Sequence, residues 1–412
     1  MLRSDRPRLL GVVLFVANLL AFWYFARSWP QYGNQGFSGY RLDLDVYRIG
    51  STMWRHGGSL YGPLPTTTRG IDLPFTYPPA AAIVFAPLSL LPFWLASLSI
   101  TVLTVASLLV VLVLVVRALG LKVDWRVLGV LLPLAVATEP VRQTLGYGQV
   151  NVLLMLLVAA DCLTASKRWP RGLLIGVAAA VKLTPAAFIL FFLVRKDWRG
   201  SVRALAGFAV PTALGFLLDP HDSALYWTKL VFDSGRIGGI DFAGNQSLLA
   251  VITRFGVPAS LATALWGLLV VATLVVAAIG MRRALRARQV VFALALNAVA
   301  ELLCSPISWS HHWVWVVPLF LSLALLGRRP AIVLLLIGLV VCYLGPQWWF
   351  PKGLDRELQW PLWAKFVGSS YVYYGIAVLV TAASARHMCP ADTDRGLSPR
   401  VQLVRLSTNH KS

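Results

Sequence analysis

The sequence predicts an all-α protein that crosses a membrane many times. Apolar residues fill 58% of the 412 positions and charged residues only 13%, against roughly one half and one quarter in soluble globular chains. Mean hydropathy is +0.70. The apolar residues gather into runs, several near the about 20 residues that a spanning helix needs. Finally, the net charge of +20 sits mainly in short connections between runs, the pattern of a chain whose Lys and Arg stay on the cytoplasmic side. Together these observations exclude a soluble multidomain protein, a coiled coil, a disulfide-stapled secreted domain and intrinsic disorder.

The chain begins with Arg3, Arg6 and Arg8, followed by an apolar run over 9–26. No small-x-small cleavage site precedes Arg27, so the run reads as a retained first membrane helix, not a removed signal. A polar loop covers 27–77. The segment 79–92 opens at Pro78-Pro79 and is short for a span. Counting it as a pass would put Arg117, Lys122 and Arg126 outside, so an interfacial or re-entrant helix is expected. A full span follows at 94–116, then short passes at 127–138 and 150–165.

The stretch 172–194 carries Lys182 and Pro185 at its middle. Basic clusters flank it, with Lys167, Arg168 and Arg171 before and Arg195, Lys196 and Arg199 after. One straight span would expel one cluster. Two short helices hinged at Lys182-Leu183-Thr184-Pro185 keep both inside. Such a hinge lines a cavity, because non-helical backbone at membrane depth is tolerated only against protein or water. Runs at 202–219, 259–280, 290–306, 313–327, 331–345 and 366–385 bring the total to twelve passes, with both termini cytoplasmic. Residues 1–385 then form one transmembrane domain with outer loops 27–77, 219–257 and 346–365, and 386–412 form a disordered cytoplasmic tail.

In this topology the cytoplasmic segments hold 24 of the 37 Lys and Arg and 6 of the 17 acids, a net of +18 that leaves +2 outside. Membrane orientation therefore accounts for the positive charge, and no nucleic-acid partner is needed. Cys162, Cys304, Cys342 and Cys389 have no CxxC or metal-ligand spacing, and no structural disulfide is expected.

Polar residues of chemical interest collect at the outer ends of the helices. Asp43 and Asp45 follow the first membrane helix. Either carboxylate can serve as a general base, or simply cap a helix or pair with Arg41 or Arg48. Leu73-Pro74-Phe75-Thr76-Tyr77-Pro78-Pro79 makes a rigid interfacial turn, where Tyr is favoured. Glu139 and Arg142 are a candidate ion pair. Gln149 and Asn151 are amides suited to sugar hydroxyls, and equally ordinary helix-start residues. Lys182 is a charge at membrane depth, and such a charge generally faces a partner or a wet site; a lysine at a helix break suits a phosphate. Arg236 and Asp241-Phe242-Ala243-Gly244-Asn245-Gln246-Ser247 lie in the second outer loop. Ser305-Pro306-Ile307-Ser308-Trp309-Ser310-His311-His312-Trp313-Val314-Trp315 ends a helix on the same side. Adjacent histidines rarely share one ion, and no second cluster has ligand spacing, so no metal is expected. A site on this face has no access to cytosolic nucleotides; a lipid-linked donor, its tail in the bilayer and its phosphate at the interface, suits it.

The ordered set of motifs resembles glycosyltransferase family 87. The matching residues are Asp-x-x-Val-Tyr at 43–47, Leu-Pro-Phe-Thr-Tyr-Pro-Pro at 73–79, Glu-Pro-x-Arg at 139–142, Gly-Gln-Val-Asn at 148–151, Lys-Leu-Thr-Pro at 182–185, Asn-Gln-Ser at 245–247 and the His-His run at 305–315. The resemblance covers about 40–385. It implies a GT-C membrane fold and an actinobacterial α-(1→2)-mannosyltransferase that uses polyprenol-phosphate-mannose, without a cofactor. The implied acceptor is a mannosylated phosphatidylinositol glycolipid: a phosphatidylinositol mannoside, lipomannan or lipoarabinomannan. Residues 160–255 are more similar to the enzymes that add single mannose branches to lipomannan than to the phosphatidylinositol-mannoside enzyme. The family's aspartate falls on Asp43, with Asp45 as second choice for the base. Lys182, Arg236, His311 and His312 are candidates for the donor phosphate. Gln149, Asn151, Asn245, Gln246 and Tyr77 are candidates for sugar contacts. The competing function class is a transporter or flippase for a lipid-linked glycan, which needs a path open to both faces.

Overall fold

A computed structural model describes residues 39–164 and 168–384. The first apolar run, Cys389 and the tail 386–412 lie outside the described residues. Among these residues the chain forms seventeen α-helices joined by short 3-10 turns, and the only β-pairing is an isolated bridge between Asn245 and Trp309.

Helix α1 (Leu42–Arg55) carries Asp43 and Asp45 in its first turn and Arg55 in its last, the charge order that a helix dipole favours. Its buried face holds Leu44, Val46, Tyr47, Gly50 and Ser51. A Cβ on Gly50 would stand 2.3 Å from the Phe75 ring, so the helix packs closely there. Helix α2 (Pro79–Leu90) is a 12-residue element that opens on proline, the residue suited to a first helical turn. It is too short to span. Helix α3 (Phe93–Ala118) has 26 residues, about 39 Å at 1.5 Å per residue.

Helices α4 (Trp125–Ala137), α5 (Glu139–Tyr147) and α6 (Asn151–Leu163) follow, then α7 (Leu173–Val181), α8 (Ile189–Arg195), α9 (Trp198–Leu218) and α10 (Pro220–Thr228). The second half comprises α11 (Leu248–Arg254), α12 (Ala259–Arg286), α13 (Val290–Cys304), α14 (Val316–Leu326), α15 (Arg329–Leu344), α16 (Leu362–Gly368) and α17 (Ser370–Ser384). Four elements are long and apolar enough to cross a membrane alone: Phe93–Ala118, Trp198–Leu218, Ala259–Arg286 and Arg329–Trp349. Counting each bent pair as one span (α5 with α6, bent by 120°, and α16 with α17, by 62°) gives six. The chain is thus a multi-pass membrane protein. The twelve-pass count also needs shorter apolar helices such as Val290–Cys304, which do not reach spanning length alone.

The turn at Lys182 is visible in helix direction. Gly172 lies against Gly200, and Gly176 against Ala204 and Phe208. Helices α7 and α9 therefore run parallel, so the chain must return between them. A Cβ on Gly176 would stand 2.1 Å from the Ala204 carbonyl, and one on Gly207 2.4 Å from that of Leu173. Small residues let the two backbones touch, as is common between membrane helices. Arg171 meets Asp197 at 3.5 Å, which places the flanking clusters at one end of the bundle and Lys182 away from it.

Candidate active site

The site begins with a glycine. Gly148 ends α5 in the left-handed region, at φ +73°, and a Cβ there would stand 2.9 Å from the Cβ atoms of both Arg41 and Leu44. Glycine both makes the turn and lets the start of α1 approach. Gln149 is thereby delivered to Asp43, 106 residues earlier, and its Nε2 donates to Asp43 Oδ2 at 2.6 Å. Its Oε1 accepts from the hydroxyls of Tyr47 at 2.8 Å and Tyr77 at 3.2 Å. The two phenolic oxygens lie 2.9 Å apart. Burial, foremost, raises both phenols well above their ordinary range, so they remain donors. That fixes the amide orientation: only its NH2 group can face the carboxylate.

Burial also pushes the Asp43 carboxyl up to about 6, against the opposing pull of the Gln149 hydrogen bond and the Lys182 charge. Desolvation disfavours the ionised form, while a donor and a nearby cation favour it. The result is a carboxylate ionised at neutral pH and basic enough to take a proton.

Lys182 occupies the break after α7 in an extended conformation. Its Nζ donates to Asn151 Oδ1 at 2.9 Å and lies 3.0 Å from His312 Nε2, with the Tyr77 ring 5.5 Å away. Asn151 Nδ2 donates to the His311 carbonyl at 2.8 Å, which aims its Oδ1 at the lysine. The His-His segment is held by Glu139. This fully buried carboxylate accepts from Ser310 Oγ and Trp348 Nε1, both at 2.7 Å, and from Tyr371 OH at 2.6 Å. Glu139 thus serves as a clamp between distant segments.

Asp43, Tyr77, Gln149, Lys182, Arg236, His311 and His312 all line one cavity of about 580 Å³. Arg236 reaches it while donating to the carbonyls of Leu230, Phe75 and Thr76, and its guanidinium lies 5.6 Å from the Tyr61 and Tyr226 rings. Much of this arginine therefore holds the 73–79 turn in place. Asn151 stands one layer back, behind Lys182.

Three predicted site residues, Asp45, Asn245 and Gln246, are directed elsewhere, as is Arg48. Asp45 Oδ2 accepts from the Thr68 amide and hydroxyl, both at 2.8 Å, tying down the loop. Arg48 bonds the carbonyls of Leu88 and Leu91, not Asp45. Asn245 Nδ2 bonds the Ile240 and Pro306 carbonyls, and its Oδ1 accepts from the Ser308 amide. Gln246 Nε2 bonds the Ala243 and Gly368 carbonyls. Both Asn245 and Gln246 are fully buried, and their amides brace the loop from behind instead of facing the cavity.

Other residues at the site were not singled out from sequence. Tyr226 and Trp348 line the cavity and lie outside the quoted motifs; Tyr47 and Trp309 line it too and fall inside the motifs at 43–47 and 305–315, where neither was given a role. Glu301 did carry one, as an acid inside an apolar run. With Asn151, Thr184 and His312 it borders a second cavity of about 30 Å³, room for a water.

The aromatic-rimmed cavity thus joins the Asp43 carboxylate to the Lys182 ammonium, a base and a cation of the kind that group transfer from a phosphate requires. The sequence profile of glycosyltransferase family 87 matches residues 75–306, and full-length relatives match as well. The chain belongs to glycosyltransferase family 87. It is 37% identical, over 95% of both chains, to the polyprenol-phosphate-mannose-dependent α-(1-2)-phosphatidylinositol mannoside mannosyltransferase of Mycobacterium tuberculosis. The protein of the same description from Mycolicibacterium smegmatis is 38% identical over 87% of this chain and 88% of its own. A phosphatidylinositol pentamannoside mannosyltransferase of M. tuberculosis is 34% identical over 94% and 89%. As a member of this family the chain is a membrane glycosyltransferase.

Proposed function

We propose that this family 87 enzyme transfers mannose from polyprenol-phosphate-mannose to a mannoside of a phosphatidylinositol glycolipid, forming an α-(1→2) linkage on the extracytoplasmic face within a GT-C fold. The observation that carries the mechanism is the shared cavity of Asp43 and Lys182, with Gln149 fixing the carboxylate and Asn151 fixing the ammonium. Relatives at 37–38% identity bear names that specify this donor and acceptor class.

The acceptor hydroxyl loses its proton to Asp43 as its oxygen attacks the anomeric carbon. The bond from that carbon to the phosphate oxygen breaks, and the electron pair leaves with polyprenol phosphate. A phosphate leaving group needs no proton but does need positive charge nearby. Lys182 supplies it, with His312 beside it. A single displacement from a β-linked donor gives the α product by inversion. Tyr226, Trp309 and Trp348 offer ring faces to the sugars, and Gln149 adds polarity at the base. Leu73, Pro74, Leu230 and Ile307, also in the lining, suit the first isoprene units.

The test is mannosyl transfer by purified protein supplied with labelled polyprenol-phosphate-mannose and a panel of phosphatidylinositol mannosides. Label should appear in a product cleaved by an α-(1→2)-mannosidase. Transmembrane movement of the donor without any transfer would instead establish the transporter reading.

A further inference from the structure

A second site lies at the end of the bundle opposite the catalytic cavity. Helix α8 leads away from the Lys182 turn and ends at Arg195, and α13 leads back from Ser305 to its start at Val290. Between these ends and the end of α12 is an open recess of about 580 Å³. Arg195, Lys196, Arg282, Arg286 and Arg288 line it together with three aliphatic side chains, and no acid does. Orientation by basic loops explains cations at this end of the bundle. It does not explain five of them converging on one concavity without a counter-charge.

Two backbone positions point the same way. Lys196 and Arg288 have φ of +60° and +59°, the left-handed region that favours glycine. Elsewhere in this chain glycine fills such helix ends, as at Gly148, Gly327 and Gly345. Here the structure places cationic side chains in the recess despite the backbone preference.

The face of α12 identifies the ligand class. Leu268, Val271, Val275 and Ile279 are all exposed, at 67%, 60%, 55% and 42%. They follow one another at three- or four-residue steps, and the same stripe continues into Arg282 and Arg286. Residues so spaced lie on one side of a helix. An acyl chain running along this stripe leads its headgroup directly into the recess. We propose that the recess binds the phosphate-bearing headgroup of an anionic membrane lipid, in the leaflet opposite the catalytic cavity, with its acyl chain along α12. Basic pockets between membrane helices are suited to such headgroups.

The experiment uses the full-length protein in detergent micelles with phosphatidylinositol, phosphatidylglycerol or phosphatidylcholine, bound lipid being counted by native mass spectrometry. The wild-type chain should retain phosphatidylinositol or phosphatidylglycerol over phosphatidylcholine. A variant combining Arg282→Gln, Arg286→Gln and Arg288→Gln should lose at least about fivefold of that retention. Equal retention by a folded triple variant would overturn the site. Inorganic phosphate is the competing arm; if millimolar phosphate displaces the lipid completely, the recess is a free-phosphate site and the lipid assignment falls. If the triple variant does not fold, the pair Val275→Ser and Ile279→Ser tests the stripe alone. That pair should weaken long-chain lipid while sparing glycerophosphoinositol, and an unchanged long-chain affinity would refute the proposal.

Discussion

Replacing Gln149 by leucine removes the one side-chain donor that Asp43 has among the described residues. The bond is short, at 2.6 Å, and its acceptor is the ionised form of the base. A hydrogen bond to a charged group is worth about 1.5–3 kcal/mol, and one pKa unit corresponds to about 1.36 kcal/mol. Loss of the bond should therefore raise the Asp43 pKa by about one to two units. The group stands at about 6 in the intact site, and the Gln149 bond is among the influences holding it down. The base works only when ionised, so transfer should rise with pH through that value. In Gln149→Leu the rising limb should move toward pH 7–8, by the same roughly one to two units. At pH 6 the ionised fraction would fall from about one half to between about one in ten and one in a hundred, a loss of about five- to fifty-fold. At pH 9 most of the rate should return. The assay is single-turnover transfer from polyprenol-phosphate-mannose across pH 5–9, with folding checked by thermal unfolding. A rate depressed equally at every pH, with the limb unmoved, would refute the reasoning, because Gln149 would then act on the sugar or the fold and not on the base.

Asp43→Asn should lower transfer by about 10²–10⁴-fold, the range for losing a general base, while donor binding persists. Asp45→Asn should be milder and show mainly in stability, since Asp45 binds the Thr68 loop; near-normal transfer by the Asp43 variant would identify the wrong carboxylate. Lys182→Met should raise the donor concentration needed for half-maximal rate, and also shift the acidic limb upward because the Lys182 charge favours ionised Asp43; an unchanged donor dependence would remove Lys182 from the phosphate site. For topology, the reporters are cysteines at exposed Thr66 and Arg286: an impermeant reagent on intact cells should label the first and spare the second, and the reverse pattern would invert the orientation.

Much of this protein was legible in the linear sequence. Composition dictated a multi-pass membrane protein, because 58% apolar residues leave too little polar surface for a soluble one. The turn at Lys182 followed from two basic flanks that one straight span would separate, and the parallel course of α7 and α9 bears it out. The motif order identified the family. What only the tertiary structure decided is which polar group faces which. Asp43 and Asp45 are two positions apart on a helix, so they point to different sides; packing alone turned Asp43 to the cavity and Asp45 to Thr68. Asn245 and Gln246 have the chemistry of sugar ligands, yet the fold uses both amides to satisfy buried carbonyls, as buried backbone groups require. Arg236 is largely engaged in the same way. The Gln149–Asp43 bond spans 106 residues and depends on Gly148 having no Cβ where α1 approaches. Local patterns encode helices, ends and turns because those are set by near neighbours; partners across the bundle are set by how whole helices pack.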